Sequence, residues 1–269
     1  MELLPSIPED ITSLPWISHG ISGAVFAVSE SVLIKRPLPG KQCREQLDIE
    51  RRIYERLGPH PYITKFICAH KDMIVLERLK YPLRKRLYDL HEHNQHPMAH
   101  DVVRWVLQVT QAIQYIHSRG VMQVDIGAHN VLLDQYENAK LSDFAGSSLD
   151  KSKPTVAPSA HSEHPNMPHT KPSIQSELFA LGSMIYEIET TNEPYADKNE
   201  QELEELFKAA KYPDTSKLVL GTVIIKCWMA QYEDASEAVV DIRHIQDQSN
   251  NTIPIYLYKD RDPSVGLSF

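Results

Sequence analysis

Three polar side chains that could form a metal site lie close together in the sequence. Asn130 follows Asp125 by five residues, and Asp143 follows Asp125 by 18 residues. The apolar run 131–133 and a short polar turn precede Asp143, so a two-stranded turn would bring the second carboxylate back beside the first. Two carboxylates and a carboxamide can hold a divalent cation and orient an attacking hydroxyl, which is the chemistry that phosphoryl transfer requires.

A lysine, a glutamate and two glycines in the first part of the chain form a candidate phosphate site. Lys35 ends an apolar strand pattern, one predicted strand after Gly20 and Gly23. Glycines let backbone amides approach phosphates closely, although two glycines in a hairpin more often serve only the turn. Glu50 lies on the inward stripe of a predicted helix over residues 43–57, where a carboxylate needs a charged partner. This glutamate favours a functional Lys35 over a strand-end lysine in solvent.

The elements that must position these residues change character along the chain. Turn-separated β patterns cover 23–28, 31–35, 63–68 and 73–76, with the one helix between them. Helical patterns follow at 101–117, 176–188, 199–207, 224–229 and 235–242. We therefore predict an α+β, bilobal fold with a small β-rich lobe containing one helix and a larger, mainly helical lobe. The predicted segments are an N-terminal lead-in (1–14), the small lobe and hinge (15–79), the large lobe (80–243) and an unassigned tail (244–269).

Composition limits the class of protein. The 269 residues, 42% hydrophobic and 24% charged, suffice for one large domain or two lobes that share a cleft. The sequence shows no signal peptide pattern and no apolar run near the ~20 residues of a membrane span. Three widely spaced cysteines suit buried thiols in a reducing compartment. We expect a cytoplasmic protein without a membrane contact, and a nuclear location stays open.

The net charge of −8 is unevenly distributed. Residues 31–90 hold 14 Lys and Arg against 7 Asp and Glu, a balance of +7, so the remainder carries −15. A basic segment can attract a polyanion such as a nucleotide, and an acidic remainder favours basic partners. The acidic total disfavours nucleic-acid binding. The sequence carries no information on the oligomeric state.

The order and spacing of these motifs resemble the eukaryotic protein kinase family over residues 15–243, and most closely divergent fungal-type kinases with a D-I-G-x-H-N catalytic loop. Asp125 and Asn130 match the family's catalytic loop, and Asp143 matches its D-F-G aspartate in Asp-Phe-Ala-Gly. The resemblance implies that Asp125 orients a substrate hydroxyl, as a catalytic residue with Lys35 and Asn130. It also implies that Asn130 and Asp143 bind Mg²⁺ and that ATP is the second cofactor.

In the small lobe, the resemblance implies an ATP site. The segment from Ser18 matches the family's glycine-rich loop except that Ser18 replaces its first glycine. Lys35 matches the strand lysine that contacts the α/β-phosphates, and Glu50 matches its helix partner. The chain segment after Leu76 falls at the family's adenine-binding hinge. The resulting predicted nucleotide-binding residues are Gly20, Gly23, Val25, Lys35, Glu50, Glu77, Leu79, Leu132 and Asp143.

Several positions depart from the family pattern. Gln123 and Val124 replace the His-Arg pair before the catalytic aspartate, which predicts that loop phosphorylation is not the main switch. Gly127 stands where Ser/Thr kinases carry a lysine, and His129 is a partial substitute for it. Glu177 replaces the helix aspartate that supports the catalytic loop.

Three functions fit these residues. The preferred one is an ATP- and Mg²⁺-dependent protein kinase that acts on a protein hydroxyl, with Ser/Thr favoured by the family alone. The departures favour a pseudokinase, a nucleotide-binding or scaffold module, but the retained Lys-Glu-Asp-Asn-Asp set opposes it. A small-molecule phosphotransferase shares the Asp-x4-Asn loop, although its usual H-G-D is absent here.

Overall fold

The first part of the molecule is a five-stranded antiparallel sheet. The structure, a computed structural model, describes residues 7–8 and 10–251. The strand order is β1-β2-β3-β5-β4. These strands are β1 (Trp16–His19), β2 (Gly23–Ala27), β3 (Val32–Pro37), β4 (Phe66–His70) and β5 (Met73–Glu77). The β-branched residues Ile74 and Val75 are buried, as expected for a strand enclosed on both faces.

A single helix, α1 (Lys41–Leu57), packs on this sheet. Its buried face carries Leu47 and Tyr54 together with the carboxylate of Glu50. The helix ends at Gly58, whose φ of +63° is a conformation that glycine adopts without the strain of a side chain. The predicted inward stripe therefore faces the sheet, with one acidic residue among apolar ones.

The second part of the molecule is mainly helical. Its helices are α2 (Leu83–Glu92), α3 (Ala99–Ser118), α4 (Ile174–Thr190), α5 (Glu200–Lys208), α6 (Gly221–Trp228) and α7 (Ala235–Asn251). Short strands join them near the first sheet: β6 (Tyr81–Pro82), β7 (Val121–Met122), β8 (Val131–Leu133), β9 (Ala139–Leu141) and β10 (Ser148–Leu149). β6, β8 and β9 form one antiparallel sheet, and β7 pairs with β10.

Helix α4 is buried almost all round and forms the centre of the helical part. It packs closely on α6, because a Cβ at Gly182 would lie 2.8 Å from Cβ of Cys227. Helix α3 packs against α7. No helix among residues 7–8 and 10–251 is long and apolar enough to cross a lipid bilayer.

The α+β fold class predicted from the sequence is confirmed, and so are the helix after the first hairpin and the capping box at Asn199. The predicted strand over 63–68 starts too early, since β4 begins at Phe66. The predicted boundary at residue 243 falls inside helix α7, which continues to Asn251. Ile245 still packs on the core, although most of the residues around it in the sequence are polar. Of the predicted tail, residues 252–269 lie outside the described part of the chain.

Candidate active site

An ammonium group and two carboxylates meet where the first sheet faces the helical part. Lys35 Nζ lies 2.7 Å from Glu50 Oε2 and 2.8 Å from Asp143 Oδ1. Lys35 and Glu50 are 6% and 1% exposed, whereas 43% of the Asp143 side chain is accessible. Three residues predicted from distant parts of the sequence are therefore in direct contact, and one of them faces solvent.

The sheet places Lys35 by its register. Lys35 lies on β3, between Val25 on β2 and Ile74 on β5. A Cβ at Gly23 would lie 3.1 Å from Cε and Cγ of Lys35, so the missing side chain leaves room for the lysine stem. Gly20 lies in the turn between β1 and β2, where a Cβ would meet nothing within 4 Å. Of the two predicted glycines, only Gly23 is close to Lys35.

The electrostatics of the cluster depend on burial and on mutual attraction. Burial would lower the pKa of Lys35, but the carboxylates of Asp143 and Glu50 outweigh burial and raise it. Burial raises the pKa of Glu50 to about 7, although Lys35 opposes this shift. Burial would also raise the pKa of Asp143, but the ammonium of Lys35 holds it below its usual value. Asp143 is thus the ionised carboxylate that remains available to a cation from solvent.

The catalytic-loop residues form a second cluster. Asn130 Nδ2 donates to the carbonyl oxygen of Asp125 at 2.9 Å and to its Oδ2 at 3.2 Å. His129 Nε2 lies 3.0 Å from the same Oδ2. Asp125 and Asn130 are thus brought into contact as the sequence predicts, with His129 as a third member.

Gln123, two residues before Asp125, holds the backbone around Asp143. Its side-chain Nε2 donates to the carbonyl oxygens of Ser142 at 3.0 Å and Asp143 at 2.7 Å, and its backbone carbonyl accepts from Ser147 Oγ at 2.9 Å. Gln123 is 1% exposed. A buried glutamine therefore fixes the backbone of Asp143, which has a positive φ of 55° that aspartate tolerates better than most residues.

The backbone of Val124 is in a strained conformation. Its φ of +73° is an outlier for a β-branched side chain, and such strain persists only where neighbouring contacts enforce it. Its amide donates to Glu177 Oε1 at 2.6 Å, and the other oxygen of Glu177 lies 2.7 Å from His117 Nε2. Glu177 on α4 is buried, so a rigid carboxylate holds the strained start of the catalytic loop.

The predicted hinge residues lie at the end of β5. The carboxylate of Glu77 pairs with Lys140 Nζ at 2.7 and 2.9 Å. The amides of Glu77, Arg78 and Lys80 donate to the backbone carbonyls of Lys65, Ser31 and Leu133. Within the part of the chain that the structure describes, the half-buried Leu79 has no such acceptor for its amide. An adenine ring could therefore accept a hydrogen bond from Leu79.

Leu132 lies on β8, the strand that follows the catalytic loop. It is half-buried, and it stands opposite Pro82 on β6 and Lys140 on β9. Its neighbours Val131 and Leu133 are both buried. Because buried and half-buried residues alternate along β8, the side chain of Leu132 is partly accessible on the strand that follows Asn130. A nucleotide ring could therefore make an apolar contact with it.

The donor set fits Mg²⁺. Asn130 uses its amide nitrogen on Asp125, which leaves its oxygen free to bind a cation. Asp143 uses Oδ1 for Lys35 and for the amide of Ala145, while its half-exposed carboxylate has a second oxygen. Hard oxygen ligands, few in number and supplemented by water and phosphate, are what Mg²⁺ prefers. No group of three or more His, Cys, Asp or Glu side chains that could hold a metal occurs among the described residues.

The sequence did not identify two residues as contributors to the site. Gln123 and Glu177 stand out only as departures from the family pattern, yet Gln123 donates to the backbone of Asp143 and Glu177 accepts from the amide of Val124. The only signal in the sequence was that both positions keep a polar residue, with Gln123 in place of histidine and Glu177 in place of aspartate.

Comparison with known proteins decides the family. A model of the protein kinase domain matches residues 32–242 of the chain, well over half of its length. The chain belongs to the protein kinase family. The matched range includes Lys35, Glu50, Asp125, Asn130 and Asp143.

Individual relatives of the kinase domain are distant. Mitogen-activated protein kinase kinase kinase 1 of Arabidopsis thaliana is 25% identical over 249 residues, which cover 85% of this chain and 39% of that protein. Mitogen-activated protein kinase kinase kinase 13-B of Xenopus laevis is 26% identical over 198 residues, 70% of this chain and 20% of that protein. The chain thus spans less than half the length of these relatives.

Proposed function

We propose that this chain is an active protein kinase that transfers the γ-phosphate of ATP to a protein hydroxyl, with serine or threonine as the acceptor. The observation that carries the proposal is the contact of Lys35 Nζ with both Glu50 and Asp143, at 2.7 and 2.8 Å. Burying an ammonium and a carboxylate costs several kcal/mol per ion unless they are paired. A nucleotide site that is assembled and paired in this way supports catalysis better than a scaffold role.

The residues divide the work between binding and orientation. Lys35, held by Glu50, would contact the α/β-phosphates, and the backbone around Gly20 and Gly23 would cover them. Asn130 and Asp143 would hold Mg²⁺. ATP and Mg²⁺ supply the phosphoryl group and neutralise its charge when bound. Asp125 would orient the attacking hydroxyl and accept its proton, so the protein contributes mostly positioning and preorganised charge.

The support of the catalytic loop favours activity over the pseudokinase alternative. Gln123 fixes the backbone of Asp143, and Glu177 fixes the strained Val124. Both residues are buried. Residues that differ from the family therefore still hold Asp143 and the start of the catalytic loop through hydrogen bonds, and strain retained at a site is typical of function.

The substrate is proposed to be a protein with basic residues near the acceptor. The relatives' names describe kinases that act on another protein kinase. The residues outside the range 31–90 together carry a net charge of −15, which attracts basic partners. A cytoplasmic site of action accompanies this proposal, and no nucleic-acid or membrane partner is proposed.

Two measurements on the purified chain separate the three functions. A Mg²⁺-dependent rise of the unfolding midpoint with ATP would report the nucleotide site. Transfer of labelled γ-phosphate is then measured to a basic protein and, in parallel, to aminoglycoside and choline-like alcohols. We expect transfer to the protein alone. ATP binding without transfer would favour a pseudokinase, and transfer to the alcohols alone would favour a small-molecule phosphotransferase.

A further inference from the structure

The imidazole of His129 occupies the space where a side chain at position 127 would begin. A Cβ built on Gly127 would lie 2.6 Å from Cε1 and 2.7 Å from Nδ1 of His129. Real Cβ atoms essentially never approach another atom this closely, so a side chain at 127 would displace the His129 ring from this position. The φ of Gly127, −176°, is ordinary extended backbone. The absence of a side chain at 127 therefore matters for the position of the neighbouring ring and not for the backbone conformation of Gly127.

The same imidazole reaches the aspartate of the catalytic loop. His129 Nε2 lies 3.0 Å from Asp125 Oδ2, which also accepts from Asn130 Nδ2 at 3.2 Å. Two donors on one oxygen fix the rotation of the carboxylate. Asp125 Oδ1 then remains for the proton of a substrate hydroxyl.

The other ring nitrogen indicates which tautomer makes this contact. His129 Nδ1 is buried and has no hydrogen-bond partner among the described residues. A buried N–H without an acceptor is costly, so the favoured tautomer carries its proton on Nε2, where it donates to Asp125.

We propose that His129 is a positioning residue for Asp125 and that Gly127 serves to admit its ring. This inference rests on the proposed kinase function. The half-buried ring of His129 thus orients the carboxylate of Asp125, four residues earlier in the chain, through a donor on Nε2. Misplacing a reacting group by about 1 Å can cost on the order of 100-fold in rate, so the contact has a measurable effect on turnover.

The test uses four variants of the full chain, with kcat and the KM for ATP measured on a basic protein substrate. His129→Phe keeps the ring and removes the donor, whereas His129→Gln removes the ring and keeps a donor near the position of Nε2. Gly127→Ala introduces the conflicting Cβ, and the double variant Gly127→Ala/His129→Gln removes the conflict again. The unfolding midpoint of each variant, with and without ATP and Mg²⁺, controls for folding.

We expect His129→Phe and Gly127→Ala each to lower kcat by roughly 10- to 100-fold with little change in the KM for ATP. His129→Gln should retain at least about a third of the wild-type kcat, and the double variant should match it. If His129→Phe turns over normally, if His129→Gln is as slow as His129→Phe, or if Gly127→Ala slows the His129→Gln background, the inference is wrong. Should His129→Phe not fold, the two Gly127→Ala variants still decide. A wild-type chain that transfers no phosphate would overturn the proposed function and this inference together.

Discussion

The two clusters of the candidate site are held together by different forces. Lys35, Glu50 and Asp143 are joined by opposite charges, and two of these side chains are almost completely buried. The catalytic loop around Asp125 is held by hydrogen bonds, because Gln123 at its start donates to the backbone of Ser142 and Asp143 and the Val124 amide donates to Glu177. The residue types of Gln123 and Glu177 differ from the family pattern. A buried charge left without its partner is costly, so the removal of one charge from such a cluster is expected to destabilise the fold. A hydrogen bond needs only a donor or acceptor in the same place, and several side chains can supply one.

The largest effect is expected where one buried side chain satisfies two groups at once. Glu177→Ala removes the acceptor of the Val124 amide and the hydrogen-bond partner of His117 Nε2, which hold the backbone of Val124 at its positive φ. We expect a loss of about 3–5 kcal/mol in the free energy of unfolding, with loss of turnover, because two buried groups are left unsatisfied. Denaturant unfolding measures the first quantity. Glu177→Asp keeps a carboxylate and is the matched control, and an equal loss in both variants would argue against a role for the acceptor.

A smaller effect is expected from a neutral support. Gln123→Leu leaves the carbonyl oxygens of Ser142 and Asp143 without their donor in a buried place. We expect a loss of about 2–3 kcal/mol in the free energy of unfolding and a raised KM for ATP, because Asp143 is no longer fixed. Gln123→His restores the family residue and a donor, and it should behave nearly as wild type. If the two variants are equally impaired, the donor is not what matters.

The charged cluster makes a prediction with a defined pH dependence. The pKa of Glu50 is raised by burial to about 7, from about 4.3 for an unperturbed glutamate. A raised pKa stabilises the fold fully below the unfolded pKa, and this contribution is lost as the pH rises through the folded pKa. Glu50→Gln cannot ionise, so this pH-dependent loss is absent from the variant, and between pH 5 and pH 8 we expect the wild type to lose roughly 2–3 kcal/mol relative to it. Urea unfolding at each pH measures the loss, and a difference independent of pH would contradict the account.

The smallest effect is expected at an ion pair outside both clusters. Arg56 at the end of α1 pairs with Asp150 at 2.9 and 3.0 Å, but about half of each side chain is exposed. Solvent and salt screen such a pair. Asp150→Asn removes the charge but keeps a residue type that tolerates the positive φ of 51° at this position. It should therefore leave the unfolding midpoint close to wild type, as should Asp89→Asn, which weakens an exposed pair with Lys85 on α2. A clear loss in Asp150→Asn alone would reveal a contribution to the position of α1.

Local sequence signals were sufficient for the elements and for the residue types of the charged cluster. The inward stripe of α1 identified Glu50, and the strand pattern before it identified Lys35. The contacts of Gln123 and His129 were not predictable in this way, because they depend on the positive φ of Val124 and on the absence of a side chain at Gly127. Neither property can be inferred from the spacing of apolar residues in the sequence. The predicted adenine contacts at Glu77, Leu79 and Leu132 stay predictions.

The most direct test of the central claim compares one variant from each cluster. Lys35→Met removes the ammonium that Glu50 and Asp143 share, and Asp125→Asn removes the carboxylate that orients the hydroxyl. ATP affinity in Mg²⁺ and single-turnover phosphate transfer are measured for both variants and for wild type. We predict that both variants lose transfer by about 100-fold or more, while only Lys35→Met also loses ATP affinity. Normal transfer by either folded variant would contradict the account.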